Sequence, residues 1–221
     1  MTTLVVMAHP DDETLGAGAA IARLVAQGET VSWLLLGDGV GSRTDASPDA
    51  AERRGRHCMA AAATLGVEDV EICDLPDNRF DGVELLDVVR LVEQALERVA
   101  PETVITHHAG DLNVDHRVTH RAVLTATRPV PGSTVRTVLG AEVPSSTEWT
   151  FGSDPSFRPD VFVDVSDTID TKLAALACYE DEVRPAPHAR SADAVRALAT
   201  VRGATTGVAA AEAFELLRAL R

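Results

Sequence analysis

Thr3-Leu4-Val5-Val6-Met7-Ala8-His9-Pro10-Asp11-Asp12-Glu13 is the stretch that decides the fold. Its first part, Thr3 to Ala8, is almost wholly apolar and carries β-branched residues, as a strand buried on both faces requires. Pro10 biases His9 toward extended backbone, so the imidazole projects from the strand end. A helix is predicted next, over Leu15–Ala26, with Leu15, Ala19, Ala22 and Ala26 on roughly one face and Gly28 as its stop. A buried strand that runs through a polar turn into a helix is the opening unit of an α/β sheet.

The alternation continues outward from there. Strands are predicted over Thr30–Leu36, Val70–Leu75 and Thr103–Thr106, and helices over Ala50–Leu65, Val83–Val99 and Val114–Thr127. Gly37–Asp49, with its glycines and Pro48, reads as a loop. Residues 1–130 therefore form a Rossmann-like, mostly parallel sheet with helices on both faces. Residues 131–221 read as an appended C-terminal α+β portion packed on the same sheet, so that residues 1–221 make a single domain. Strands are expected there at Thr134–Val143 and Val161–Val165. Helices are expected at Thr168–Glu180, Ala192–Val201 and Ala209–Leu220.

Composition narrows the function. The 221 residues carry 34 acidic side chains against 20 Lys+Arg, a formal charge of -14. Such a surface repels phosphate backbones and anionic lipid, so neither nucleic acid nor membrane is an expected partner. Cys58, Cys73 and Cys178 form no C-x-x-C pair, which argues against a disulfide framework and a structural zinc knuckle. The first apolar run is too short for a signal peptide or a membrane span. A reduced, cytoplasmic protein is expected. No G-x-G-x-x-G follows the first strand, because Ile21 stands where the third glycine would be needed.

In doubly wound sheets, ligands bind outside the carboxyl ends of the strands where the strand order reverses, commonly between the first and fourth. Two polar clusters fall at those two ends: His9–Glu13, and His107-His108-Ala109-Gly110-Asp111-Leu112-Asn113-Val114-Asp115-His116. Adjacent carboxylates at Asp11 and Asp12 repel unless a divalent cation joins them. His9, Asp12 and His116 make a three-ligand set with a position left for solvent, which suits one catalytic zinc ion. Another divalent metal also tolerates this donor set. Asp11 then faces the metal's water, and Asp115 orients a neighbouring group. Glu13 and Thr14 read as an ordinary acidic helix start. His107, His108 and His120 read as hydrogen-bonded structural residues.

Ala8-His9-Pro10-Asp11-Asp12-Glu13 together with Asp111-Leu112-Asn113-Val114-Asp115-His116-Arg117 resembles the PIG-L/LmbE family of zinc-dependent N-acetylglucosamine deacetylases. The likeness extends through Leu75-Pro76-Asp77-Asn78-Arg79-Phe80-Asp81 to Arg202-Gly203 and Ala211-Glu212-Ala213-Phe214. It implies His9, Asp12 and His116 as metal ligands and Asp11 as the general base on the attacking water. It also implies Arg54 and Asp77 as contacts to sugar hydroxyls, with a solvated helix residue the alternative for Arg54. Well-studied members resemble H-P-D-H where this chain has Asn113-Val114-Asp115-His116. Asn113 donates a hydrogen bond but relays no proton, so either another group protonates the amine or Asp11 does both jobs; His188 is the candidate for an incoming polar group, with a surface loop histidine the alternative. The expected substrate is a small amino sugar carrying an N-acetyl group, and a homo-oligomer is possible. The alternatives are an amidase on a larger amide such as a thiol conjugate, and a sugar- or nucleotide-binding module without turnover.

Overall fold

The computed structural model describes residues 1–44, 47–152 and 155–220. Asp45 and Ala46, within the loop expected over Gly37–Asp49, lie outside the described residues. The first half runs β1 (Thr2–Met7), α1 (Asp12–Ala26), β2 (Thr30–Gly37), α2 (Ala50–Leu65), β3 (Asp69–Leu75), α3 (Leu85–Val99), β4 (Thr103–His107) and α4 (Val114–Ala126). The second half adds β5 (Thr137–Ala141), β6 (Val161–Asp164), α5 (Ile169–Ala177), α6 (Ala192–Thr206) and β7 (Ala211–Ala219). Among the described residues the strands form one seven-stranded sheet in the order β3-β2-β1-β4-β5-β7-β6. All of it is parallel except β7, which runs antiparallel to both β5 and β6.

Alternation along β1 divides the core between the two sheet faces. Val5 and Met7 pack with Trp33 and Leu35 beneath α1, α2, α5 and α6. Leu4, Val6 and Ala8 pack with Leu34 and Leu36 beneath α3 and α4. Because side chains on a strand alternate, helices on both faces demand an unbroken apolar run, and β1 supplies it. β1 lies between β2 and β4, so the order reverses there and the loops after β1 and β4 open side by side.

The helix expected over Ala209–Leu220 is instead the strand β7. Ala, Glu, Leu and Arg favour helix by only a few tenths of a kcal/mol each, which pairing on both edges overrides. β7 fills the gap between β5 and β6, and its residues alternate in period 2. Phe214 sits in the core under α1, while Leu217 packs on the opposite face with α3 and α4. Glu212, on the Phe214 side, accepts the Ala19 and Ala20 N–H groups of α1 at 3.1 and 2.6 Å. Lys172 of α5 donates to Glu212 Oε1 and to the Leu15 carbonyl, each at 2.6 Å. This buried pair enters the middle of the α1 hydrogen-bond ladder and ties the C-terminal portion to the helix that begins with the acidic cluster. No helix among the described residues is long and apolar enough to cross a membrane.

Candidate metal centre and active site

His9, Asp12 and His116 converge in the cleft between the β1 and β4 loops. Asp12 Oδ2 lies 3.6 Å from His9 Nδ1 and 3.2 Å from His116 Nε2, and all three side chains are buried. Donors about 2.0–2.1 Å from a tetrahedral zinc ion stand about 3.3 Å apart, which matches these spacings. The outer nitrogens of both imidazoles meet carboxylates. His9 Nε2 is 2.9 Å from Asp115 Oδ2, and His116 Nδ1 is 3.1 Å from Asp111 Oδ1. With its Nε2 proton on Asp115, His9 turns the Nδ1 lone pair toward Asp12.

Electrostatics point the same way. Burial opposes the imidazolium of His9, yet Asp115 and Asp12 outweigh it and push the group up to about 9. Burial likewise opposes His116, and Asp12 and Asp111 push it up to about 10. Burial alone would raise Asp12, but His116 and His9 hold its carboxyl well below the usual range. The residues therefore build a seat for positive charge, and a divalent ion fits it by displacing the imidazolium protons. His107 behaves differently: burial, then His116, pull it down to about 3. It stays neutral, and its Nε2 accepts the Ala8 N–H at 2.8 Å. His120 Nδ1 meets the His107 carbonyl at 2.8 Å, and His108 Nδ1 meets Glu215 at 2.6 Å. All three sit in structural bonds rather than in the cavity lining.

Asp11 caps α1 with φ at 116°, a left-handed conformation that a non-glycine residue adopts only under constraint. Glu13 supplies part of that constraint, because its Oε2 accepts the Asp11 N–H at 3.0 Å. Its Oε1 accepts the hydroxyls of Thr14 and Tyr179, each at 2.7 Å. Glu13 stands in the acidic first turn of α1, as the sequence suggests, and is fully buried there. Tyr179 was invisible in the sequence because it lies 166 positions away in chain number. The Asp11 carboxylate lies 2.8 Å from Arg190 Nη1 and 3.4 Å from Arg54 Nη1, both through Oδ2. Burial pushes Asp11 up from the ordinary carboxylate range, and the two arginines only partly oppose it.

The other sequence-selected residues fall as follows. Asp115, besides His9, accepts the Asn78 N–H at 2.6 Å and the Phe80 N–H at 2.9 Å. Asn113 is the N-cap of α4: its side-chain oxygen accepts the Asp115 N–H at 2.8 Å, its NH2 donates to Asn78 Oδ1 at 3.5 Å, and the residue lines the cavity. Asp77 Oδ2 accepts the Ser42 N–H at 3.0 Å and its hydroxyl at 2.6 Å. Arg54 is buried rather than solvated; it donates to the Pro10 carbonyl at 2.5 Å and to Glu182. His188 does not line the cavity. Its Nδ1 accepts the Arg190 N–H at 3.1 Å, and its ring packs edge-on against Trp149 at 5.8 Å. Arg190, two residues on, takes the place expected of it. Asp111 also went unassigned in the sequence; it accepts the Thr147 hydroxyl at 2.8 Å, the Asn113 N–H at 2.9 Å and the Ser146 hydroxyl. The cavity lined by His9, Asp11, Asp12, Asp77, Asn113 and His116, with Arg54 and Arg190, measures about 270 Å³.

The sequence profile described as "PIG-L: GlcNAc-PI de-N-acetylase" matches residues 4–127. The chain belongs to the PIG-L family. It is 32% identical over 179 residues to the uncharacterized deacetylase YaiS of Escherichia coli K12, covering 78% of this chain and 87% of that protein. It is 30% identical over 236 residues to the 1D-myo-inositol 2-acetamido-2-deoxy-alpha-D-glucopyranoside deacetylase of Mycobacterium sp. JLS, covering 85% and 76%. Pseudomonas putida KT2440 provides a different activity. Its 4-oxalmesaconate hydratase is 30% identical over 194 residues, 80% of this chain and 72% of that protein. The crystal structure of its 4-carboxy-2-hydroxymuconate hydratase GalB superposes with a TM-score of 0.80 at 24% identity, covering 100% and 97%.

Proposed function

We propose that this chain is a metal-dependent hydrolase that removes the N-acetyl group from an N-acetylglucosamine-type sugar or glycoconjugate. The observation that carries the reading is Asp11, a buried carboxylate held in a constrained conformation beside the His9–Asp12–His116 seat. His9, Asp12 and His116 would hold one divalent ion, and zinc suits the donor set. Such an ion supplies Lewis-acid polarisation of the amide carbonyl and makes water a stronger nucleophile. Asp115 and Asp111 keep the two imidazoles oriented.

Both guanidinium contacts to Asp11 fall on Oδ2, so Oδ1 is the oxygen free to take a proton. Asp11 accepts a proton from the attacking water as the new C–O bond forms, and returns it to the amine nitrogen as the C–N bond breaks. Acetate and a free amine result, and no other proton source is needed. Asn113 lines the cavity, and its second NH2 hydrogen can reach the acetamide oxygen while the first is on Asn78. Arg54 and Asp77 border the space for the sugar, with Arg54 acting through its hold on Asp11 and Pro10. The cavity of about 270 Å³ is a little smaller than most ligand pockets, about 300–1,000 Å³. We place the enzyme in the reducing cytoplasm, consistent with its free cysteines.

The hydratase relatives make addition of water to an unsaturated acid the second reading. One experiment separates the two: acetate release from a panel of N-acetylhexosamine derivatives, and hydration of an unsaturated dicarboxylate, each with and without added zinc. The proposal expects zinc-dependent acetate release. Hydration without any acetate release would replace it.

A further inference from the structure

We propose that Arg190 is a positioning residue for the base: its guanidinium, aimed by Ser145, holds the Asp11 carboxylate in register with the metal seat. The inference rests on the deacetylase reading and adds to it the residues that decide where the proton acceptor stands.

Glu13 fixes the backbone of Asp11 but not its carboxylate. The other acids around the seat are held by backbone N–H groups. Asp12 accepts from His9, Asp77 from Ser42, Asp111 from Asn113, and Asp115 from both Asn78 and Phe80. Among the described residues, the Asp11 carboxylate accepts a single hydrogen bond, from Arg190 Nη1 to Oδ2 at 2.8 Å. Arg54 Nη1 stands further off, at 3.4 Å, and is committed to the Pro10 carbonyl at 2.5 Å. A carboxylate pinned at one oxygen by a charged donor keeps its other oxygen aimed.

Arg190 is itself held from behind. Its Nε donates to the Ser145 hydroxyl at 2.6 Å, Nη1 also lies 3.3 Å from Glu182 Oε2, and its backbone N–H is on His188 Nδ1 at 3.1 Å. A guanidinium is planar, so a bond through Nε sets the direction in which Nη1 points. Burial opposes its charge, and Asp11, Asp12, Glu182 and Glu148 outweigh that. Ser145 has φ at 71°, in the left-handed region, and its N–H donates to Glu148 Oε1 at 2.6 Å. A non-glycine residue stays there only where its surroundings over-determine it. The next two residues secure the other half of the site. Ser146 and Thr147 donate their hydroxyls to Asp111, the carboxylate that meets His116. One loop after β5 thus grips the base through Arg190 and a metal-seat imidazole through Asp111, and so sets the spacing between them.

The test follows acetate release from the methyl glycoside and the 1-phosphate of N-acetylglucosamine by the wild type, Arg190→Ala, Ser145→Ala and the double variant, with metal content measured on each. Arg190→Ala is expected to lower kcat about 10²-fold, the cost of misplacing a reacting group by about 1 Å, while KM and metal content stay near those of the wild type. Guanidinium chloride below its denaturing range is expected to raise the kcat of Arg190→Ala severalfold, a rescue that a purely structural role would not show. Ser145→Ala is expected to lower kcat severalfold on its own and to cost nothing further in the Arg190→Ala background, because it acts through that side chain. Wild-type kcat in Arg190→Ala, or a loss that follows metal content and ignores guanidinium, would overturn the proposal and leave deacetylation intact. An equal cost of Ser145→Ala in both backgrounds would overturn the part given to Ser145. Acetate release from neither probe by the wild type would overturn the deacetylase reading and this inference with it.

Discussion

Asp115→Asn tests how much of the metal seat depends on a residue that touches no metal. Asp115 receives three buried donors: Phe80 N–H on Oδ1 at 2.9 Å, and Asn78 N–H at 2.6 Å with His9 Nε2 at 2.9 Å on Oδ2. Asparagine replaces one oxygen by an NH2 group. Whichever way the amide is turned, its NH2 faces a donor that had an acceptor before. A buried donor left without an acceptor costs about 1–3 kcal/mol. For a chain of this length each kcal/mol lowers Tm by about 2–4 °C, so a fall of about 2–12 °C is expected. Removing the carboxylate from the imidazole lowers metal affinity about 10- to 100-fold. Chelator competition gives the affinity, and thermal melts of the metal-free protein give the stability. Native affinity within about twofold, together with an unshifted melt, would show that Asp115 does not orient His9 and would refute the reasoning.

Lys172→Met should cost about 3–5 kcal/mol in urea denaturation, because it strands the buried Glu212 carboxylate. Adding Glu212→Gln should recover more than half of that loss, and no recovery would mean that the pair is not the cause. Tyr179→Phe removes the hydroxyl that donates to Glu13 at 2.7 Å, and so loosens the anchor of the Asp11 backbone. A severalfold lower kcat at unchanged KM and metal content is expected in acetate release, and unchanged kcat counts against that anchoring role. Burial, then Glu71 and Asp74, push the Cys73 thiol up to about 11. The thiolate is the disfavoured form, so alkylation at pH 8 should run roughly 10- to 100-fold slower than for a free thiol and rise steadily as pH approaches 11. A rate that levels off near pH 8.5 would contradict this.

The parallel half of the fold was legible in the sequence because β1 and β2 are nearly continuous apolar runs, β4 is a short β-branched one, and each helix ends at a glycine, a proline or a change of period. The metal donors were legible for a related reason: a polar cluster directly after a buried strand has one place to go in this topology. β7 was not legible. Ala211–Ala219 is rich in helix formers, and only the slot between β5 and β6 makes it a strand. The bond between Glu13 and Tyr179 was not legible because the two residues lie 166 positions apart in the chain. Arg190 was missed beside His188 because two tertiary contacts, His188 on Trp149 and Arg190 on Ser145, decide which side chain faces inward. The arginine cluster is likewise tertiary: Arg43, Arg54 and Arg190 come from a loop, a helix and a distant turn, and meet at Glu182, with Asp11 also joining the last two.

The central claim is that a carboxylate beside a metal seat, and outside its ligand set, moves the proton in amide hydrolysis. Elemental analysis paired with acetate release on Asp11→Asn addresses it most directly. One divalent ion per chain should remain, while turnover falls by about 10²-fold or more. A protein that keeps both its metal and its native rate would contradict the account.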